Sequence, residues 1–186
     1  MLVLEDVEDP YNAAAVFRSC DALGFQTIHL IFEKNKPFDP KEVGRFTATS
    51  ANKWLDFVVH PNTESCLNHL HEQGFETIAT VIEGADESLI EAKLESPDIA
   101  ILIGNEKRGL SEKAIKLVNR RISIPMRGMM ESLNLSVTVS IFLFEITRQR
   151  RHLEMGEERF GLALDERQQL TEVFLNKNNV ITRRRG

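Results

Sequence analysis

Short apolar segments alternate with segments of helical periodicity along most of the chain. The apolar segments are rich in β-branched and aromatic residues, which favour strands. The predicted strands are residues 2–4, 27–32, 57–59, 77–82, 99–103 and 121–124. The intervening segments predict helices at residues 13–23, 63–73 and 111–118. This alternation predicts an α/β domain with a mostly parallel sheet flanked by helices.

The segment at residues 132–151 is ambiguous by propensity, and its apolar residues would surround the axis of a helix. Val137, Val139 and Ile141 favour a strand, whereas the length and the polar end of the segment favour a helix. We predict a helix that is buried in the core or in an interface.

The periodicity changes after residue 151. Two short helices are expected there, at residues 154–160 and 165–175, followed by a tail with three arginines. We therefore expect two parts in the chain: a globular domain over residues 1–151, and a C-terminal helical appendage with a basic tail over residues 152–186.

The composition is that of an ordinary globular protein, but the charge is unevenly distributed. The chain has 186 residues, 42% of them hydrophobic, which excludes disordered and fibrous classes. Its net charge of −5 argues at first against a nucleic-acid partner. Residues 1–106 contain 7 basic and 19 acidic residues, a net of −12, whereas residues 107–151 contain 10 and 3, a net of +7. Such asymmetry fits either a polyanionic partner or an ordinary solvated face.

The cysteines, histidines and apolar segments indicate a cytoplasmic protein without a metal site. Cys20 and Cys66 lie in apolar, helix-like contexts and are expected to be reduced core thiols. The most apolar stretch, residues 137–144, is far shorter than the ~20 apolar residues of a membrane span. The histidines show no metal-ligand spacing with cysteines or carboxylates; they are His29, His60, His69, His71 and His152.

Three loops follow predicted strands, at the edge where open α/β sheets bind ligands. In the first loop, Asn12 precedes a helix whose apolar turn contains Arg18. This arginine either pairs with Asp21 or extends along the surface, which are structural roles, or its guanidinium points at a phosphate or a reacting oxygen.

The second and third loops each allow a structural and a functional interpretation. Residues 104–111 contain two glycines and Glu106, and either approach a ligand closely or form a simple turn capped by Ser111. Residues 124–136 contain three methionines and a helix start. They either bind an adenine or a thioether through backbone donors and apolar side chains, or form a plain loop with an N-cap.

In this order, the three loops resemble the motifs of one family. The motif N-x-x-A-x-x-R begins at Asn12, G-x-E-x-x-G begins at Gly104, and I-P-M-x-G-x-x-x-S-L-N-x-S covers residues 124–136. The combination resembles the SPOUT-type RNA 2'-O-ribose methyltransferases, from about residue 2 to residue 151. Residues 47–54 and the ending ITRQRR of the last helix are most similar to the tRNA (guanosine-18-2'-O)-methyltransferase branch.

The resemblance implies an α/β fold with a C-terminal trefoil knot, a pocket for S-adenosylmethionine in that knot, and a homodimer with the site at its interface. The implied cofactor pocket is lined, largely through backbone atoms, by Thr80, Gly104, Ile124, Met126, Ser132 and Leu133. The implied catalytic residues around the target ribose are Asn12, Arg18, Glu106, Ser132 and Asn134. RNA is the implied partner, with tRNA favoured, and neither a membrane nor a metal is expected.

Arg18 is the residue expected to act on the ribose hydroxyl. The resemblance implies a proton-accepting role, but arginine stays protonated at accessible pH, so we favour electrostatic stabilisation of the developing 2'-oxyanion. Two other functions stay open: the same chemistry on ribosomal RNA or another tRNA position, and non-catalytic RNA binding with this fold. In a dimer, the basic residues of 107–151 are expected to form one RNA-facing surface.

Overall fold

The computed structural model describes residues 1–43, 51–153 and 163–183. The strands are β1 (Leu2–Glu5), β2 (Thr27–Ile31), β3 (Asp56–His60), β4 (Glu76–Thr80), β5 (Glu87–Ser88), β6 (Ile99–Ile103) and β7 (Arg120–Ser123). The helices are α1 (Pro10–Leu23), α2 (Thr63–Glu72), α3 (Glu112–Leu117), α4 (Leu135–His152) and α5 (Leu164–Arg183), with a 3-10 turn at Ala51–Lys53.

The strands form one seven-stranded sheet in the order β3-β2-β1-β6-β4-β7-β5, and every adjacent pair is parallel. The predicted α/β architecture is therefore confirmed. The central strands β1 and β6 are buried over their whole length, and β6 has the uninterrupted apolar sequence that is typical of such a strand. Because all strands run in one direction, the loops that follow them meet at a single edge of the sheet, the carboxyl edge.

Alternate residues of the central strands face two separate hydrophobic cores. Leu2 and Leu4 belong to the larger core with α1 and α4. Val3 and Ile31 belong to the smaller one with α2 and α3. Successive side chains of a strand point to opposite faces of the sheet. Both faces are therefore apolar here, and each is covered by helices. The helix predicted at 132–151 is observed as α4, and one of its faces lies in the larger core.

Two helices begin at different residues from those predicted. Asp9 caps α1 by accepting the backbone N–H of Tyr11 at 2.8 Å, and Pro10 occupies the first turn, so α1 starts before Asn12. Asn134 caps α4, so Ser132 lies in the preceding loop and not at the helix start. Asx side chains cap helices well because their oxygen satisfies a free backbone donor of the first turn.

The C-terminal part of the chain differs from its prediction in length. Helix α5 runs to Arg183, beyond the predicted end at residue 175, and Phe174 packs edge-on against Trp54 with ring centroids 5.0 Å apart. The helix predicted at 154–160 and much of the segment 47–54 lie outside the described residues. Within the described residues, no helix is both long and apolar enough for a membrane span.

Candidate functional site at the carboxyl edge

The loops after β1 and β6 meet at the carboxylate of Glu106. It accepts the backbone N–H of Glu8 at 3.1 Å and of Asp9 at 3.3 Å, and Nδ2 of Asn12 at 3.1 Å. Partial burial raises the pKa of Glu106, but these hydrogen bonds outweigh it and hold the pKa below its usual value. Glu106 is therefore ionised at neutral pH and orients the start of α1, which makes it a poor proton acceptor.

Asn134 extends this contact to the third motif. Its Nδ2 donates to Oδ1 of Asn12 at 3.3 Å, while its own Oδ1 accepts the backbone N–H and the hydroxyl of Ser136 at 2.9 and 2.7 Å. Glu106, Asn12 and Asn134 thus form a continuous hydrogen-bonded line that joins all three motifs. Each asparagine amide keeps one N–H without a partner in the described part of the chain, available to a ligand oxygen.

The other two residues expected at the ribose do not join this line. Ser132 is exposed and forms no hydrogen bond to any described residue. Arg18 is exposed on α1, about 9 Å along the helix axis from Asn12. Within the described ranges it forms no ion pair or hydrogen bond, so the alternative pairing with Asp21 is not observed. Burial raises the pKa of Asp21, which is opposite to the shift of a carboxylate paired with a cation.

Three of the expected cofactor residues lie at the ends of neighbouring strands. Thr80 ends β4, Gly104 follows β6 and Ile124 follows β7, and these strands are adjacent in the sheet. The hydroxyl of Thr80 donates to the carbonyl oxygen of Leu102 at 3.1 Å, which fixes its position at the edge. The strand order therefore places residues up to 44 positions apart, from Thr80 to Ile124, at neighbouring points of the carboxyl edge.

The remaining residues expected at the cofactor belong to the loop at residues 125–133. Met126 is 37% exposed and Met130 is 71% exposed, and Leu133 is half-buried. No backbone hydrogen bond within the described residues involves this loop. Free backbone donors and acceptors beside flexible thioethers fit a ligand with an adenine, a ribose and a carboxylate, as S-adenosylmethionine has.

Two residues that support the site were not singled out from the sequence. Asp6 adopts φ 52°, in the left-handed region, and its carboxylate accepts the backbone N–H groups of residues 33–35. Buried Asn105 donates to the carbonyl oxygen of Asp6 at 2.7 Å, while its own oxygen accepts the N–H of Lys107 at 2.9 Å. The signal for Asp6 is weak: aspartate directly after a strand is one of the few residue types that tolerate this conformation.

Within one chain, the basic residues of 107–151 are spread over both edges of the sheet. Within the described part of the chain, six of the ten pair with carboxylates: Lys107, Lys113, Lys116, Arg120, Arg121 and Arg148. Arg150 donates to the carbonyl oxygens of Ser96 and Pro97, before β6 and thus at the amino edge of the sheet. Because α4 is about 27 Å long, Arg148 and Arg150 lie far from Asn134 at its other end. Arg108 and Lys107 are the basic residues of this segment beside Glu106.

An apolar groove of about 730 Å³ runs along α4 from the third motif. Val137 is 44% exposed and Phe144 is 60% exposed in this groove, and Ile90 is 77% exposed on its opposite wall. Glu145 and Arg148 border it and bond to each other at 2.7 Å. Large exposed apolar side chains that cluster with a polar border are typical of an interaction surface.

Comparisons with known proteins identify the family. A model of the SpoU rRNA Methylase family matches residues 1–144. A "tRNA (guanosine(18)-2'-O)-methyltransferase" of Thermus thermophilus is 36% identical over 149 residues, which are 80% of this chain and 74% of that protein.

Two solved structures share the fold. The SpoU methyltransferase AviRb of Streptomyces viridochromogenes, in complex with the cofactor AdoMet, has a TM-score of 0.71 and 26% identity, covering 81% of this chain and 60% of that chain. A structure titled "Structural insights into the 2-OH methylation of C/U34 on tRNA" has a TM-score of 0.71 and 30% identity, covering 82% and 96%. The chain belongs to the SpoU rRNA Methylase family.

Proposed function

We propose that this chain transfers a methyl group from S-adenosylmethionine to a ribose 2'-hydroxyl of RNA, with tRNA of the guanosine-18 type as the favoured substrate. The observation that carries the proposal is the hydrogen-bonded line of Glu106, Asn12 and Asn134, which brings the three motifs to one point of the carboxyl edge. The Thermus thermophilus relative carries a tRNA guanosine-18 name, and a related solved structure carries bound AdoMet, which supports this choice.

The residues of this chain orient the ribose, and Glu106 does not accept the proton of its 2'-hydroxyl. The sulfonium of S-adenosylmethionine supplies an electrophilic methyl group when it is bound. The residues that would hold it are Thr80, Gly104, Ile124, Met126, Ser132 and Leu133. The free amide N–H groups of Asn12 and Asn134 are placed to bind ribose oxygens, because Glu106 and the α4 cap fix both side chains.

Arg18 is proposed to stabilise the developing negative charge on the 2'-oxygen as a permanent cation, while the hydroxyl proton leaves by another route, to solvent. It forms no ion pair with a described residue, so its charge is free to act on a ligand. The substitution Arg18→Lys tests this role, since lysine can titrate whereas arginine stays protonated. We expect lower activity with an unchanged pH profile. A new limb of the pH–rate profile near neutrality would instead favour a proton-accepting base at this position.

A homodimer with the site at its interface is the proposed assembly. Arg18 does not reach Asn12 within one chain, so a second copy would complete the site. The groove along α4 supports the proposal, because it exposes apolar residues such as Phe144 and has one acid–base pair at its border. Burial contributes roughly 25 cal/mol per Å² of apolar area. Ultracentrifugation of the full chain should give a dimer at micromolar concentration, and Phe144→Glu should give a monomer. A wild-type monomer under these conditions would exclude the dimer.

The proposed RNA path runs over the loop that follows β2 and over Arg108. Asp6 fixes the start of this loop, and Asn35 accepts a hydrogen bond from Arg108 at 3.2 Å. Lys34, Lys36 and Arg108 have no carboxylate partner among the described residues, so their charges are available to phosphates. An RNA substrate and two buried, free cysteines also support a cytoplasmic location.

The resemblance further suggests that the segment after β7 threads into a trefoil knot. The strand order supports this path. β7 lies on the far side of β4 from β1, whereas α4, which follows β7 in the chain, packs against α1. The boundary at residue 151, between the globular domain and the C-terminal helical appendage, is also a proposal.

The decisive experiment is methyl transfer from labelled S-adenosylmethionine to bulk tRNA and to ribosomal RNA, followed by mapping of the modified nucleotide. Label in the ribose of tRNA position 18 supports the favoured substrate. Label in ribosomal RNA or at another tRNA position selects the alternative, for which the family name and the related C/U34 structure are the specific observations. Calorimetry that shows no binding of S-adenosylmethionine would favour non-catalytic RNA binding.

A further inference from the structure

Four side chains with nitrogen or sulfur donors meet between the sheet and α2. His29 of β2 and His60 of β3 are 2% and 8% exposed, and Cys66 of α2 is fully buried. Nδ1 of His29 lies 2.9 Å from Nε2 of His60. The donor atoms of His29, His60 and Cys66 all lie within 4.8 Å of one another. The ring of His69 lies 5.9 Å and 5.6 Å from the other two ring centres.

The tertiary structure alone creates this cluster. In the parallel register, His60 is paired with Ile31, so His29 and His60 are diagonal neighbours on the same face of the sheet. Cys66 and His69 are three residues apart on α2 and therefore share the face that covers these strands. The donors come from three elements, so no spacing of the kind used for metal motifs connects them in the sequence.

The groups of the cluster are in the state that a metal requires from its nitrogen ligands. Burial, together with the neighbouring histidines, lowers the pKa of His29 to about 4 and also lowers that of His60, so both imidazoles are neutral at pH 7. One hydrogen bond joins the two rings. Their second nitrogens and the thiol of Cys66 have no hydrogen-bond partner within the described ranges.

We propose that His29, His60 and Cys66, with His69 as the fourth ligand, form a binding site for a divalent metal of the Zn²⁺ class. Imidazole nitrogen and thiolate sulfur are the donors that zinc takes from proteins, and four such donors give a tetrahedral site. Bonds of about 2.0–2.3 Å place such donors roughly 3.3–3.6 Å apart. Side-chain rotations that move the donors of His29, His60 and Cys66 by about 1 Å give these separations, and a rotation of His69 would bring its ring to the fourth position.

Binding has a defined proton balance. The imidazole that donates the N–H between His29 and His60 moves that proton to its other ring nitrogen, so the pair loses none. The buried thiol of Cys66 binds a metal as the thiolate, so one proton leaves the sulfur for solvent when the metal binds. The metal would clamp α2 to β2 and β3, away from the carboxyl-edge site, and the inference does not depend on methyl transfer.

Cobalt(II) titration of the metal-stripped full chain tests the site. We expect one equivalent to give tetrahedral visible absorption and a sulfur-to-cobalt charge-transfer band in the near ultraviolet. Zn²⁺ should displace the cobalt and raise the melting temperature. Cys66→Ala should abolish the charge-transfer band and weaken binding by at least ~10-fold. Cys20→Ala is the matched control, because Cys20 is equally buried in the other core, and it should change neither.

A second variant keeps the test valid if Cys66→Ala unfolds. His69→Ala should retain the charge-transfer band and weaken binding, since the thiolate ligand remains. The absence of stoichiometric cobalt binding by the wild-type chain at micromolar concentration would overturn the proposal. A charge-transfer band that persists in Cys66→Ala would place the metal elsewhere and overturn it too.

Discussion

Replacement of Gly104 by alanine should disrupt the loop that carries Glu106. A Cβ atom at position 104 would lie 2.1 Å from the carbonyl carbon of Gly109, 2.2 Å from the backbone nitrogen of Leu110 and 2.4 Å from the carbonyl oxygen of Gly109. All three are backbone atoms, so no flexible side chain can move aside. Ordinary van der Waals contact requires a separation larger by about 1 Å.

The energetic cost follows from the contacts that such a shift would break. Asn105 and Gly109 exchange two backbone hydrogen bonds, of 3.0 Å and 2.9 Å, which close this loop. Inserting a methyl group into a packed site costs about 1–3 kcal/mol, and each lost hydrogen bond contributes about 1 kcal/mol. We therefore expect Gly104→Ala to lower the free energy of unfolding by about 3 kcal/mol and to displace Glu106 from Asn12.

Gly128→Ala provides a matched control within the third motif. A Cβ atom at Gly128 would have no neighbour within 4 Å, so its effect on stability should stay within about 0.5 kcal/mol. Urea unfolding gives the free energies of both variants, and calorimetry gives their affinities for S-adenosylmethionine. Equal stability and equal affinity for Gly104→Ala and the wild type would refute the assignment of Gly104 as a site of close backbone approach.

Three further predictions concern the site charges and the buried histidines. Glu106→Gln should lower kcat about 10- to 100-fold with little change in cofactor affinity, measured by methyl-transfer kinetics and calorimetry; unchanged kcat would exclude an orienting role. The slope of the logarithm of RNA affinity against the logarithm of salt concentration should decrease in magnitude by about one in Lys34→Ala or Arg108→Ala. Lys116→Ala removes a charge that is paired locally and should leave this slope unchanged. In the unfolded chain His29 binds a proton below pH 6.5, whereas in the folded chain it does so only near pH 4. The free energy of unfolding should therefore be highest above pH 6.5 and fall by up to about 3 kcal/mol towards pH 4. Denaturation of the metal-free chain at both pH values measures this, and a flat pH dependence would contradict a buried neutral His29.

Local patterns in the sequence determined the type and the approximate position of most helices and strands. Residues 99–103 form a strand with the predicted bounds, because five consecutive apolar residues can be buried on both faces of a parallel sheet. Ser111 caps α3 as predicted, because its hydroxyl satisfies a donor of the adjacent turn. The helix starts near Asn12 and Ser132 were wrong, because several residues there can cap and only the surrounding loops select one. The end of α5 was also predicted too early, and the two-residue strand β5 was not predicted.

The chemistry of the site was recognisable from residue types in the three motifs, but their contacts were not. Asn12 meets Glu106 across 94 positions and Asn134 across 122, because strand order brings these loops together. Most basic residues of 107–151 pair with acidic residues, so a charge sum along the chain could not locate the RNA surface.

The tertiary structure also decided features that have no sequence pattern. The cluster of His29, His60 and Cys66 depends on strand register and on the position of α2, and the isolation of Arg18 depends on the rotation of α1. Periodicity reports which face of an element is buried, because burial repeats along a helix or strand. It carries no information about which distant element covers that face, and that pairing places the functional groups.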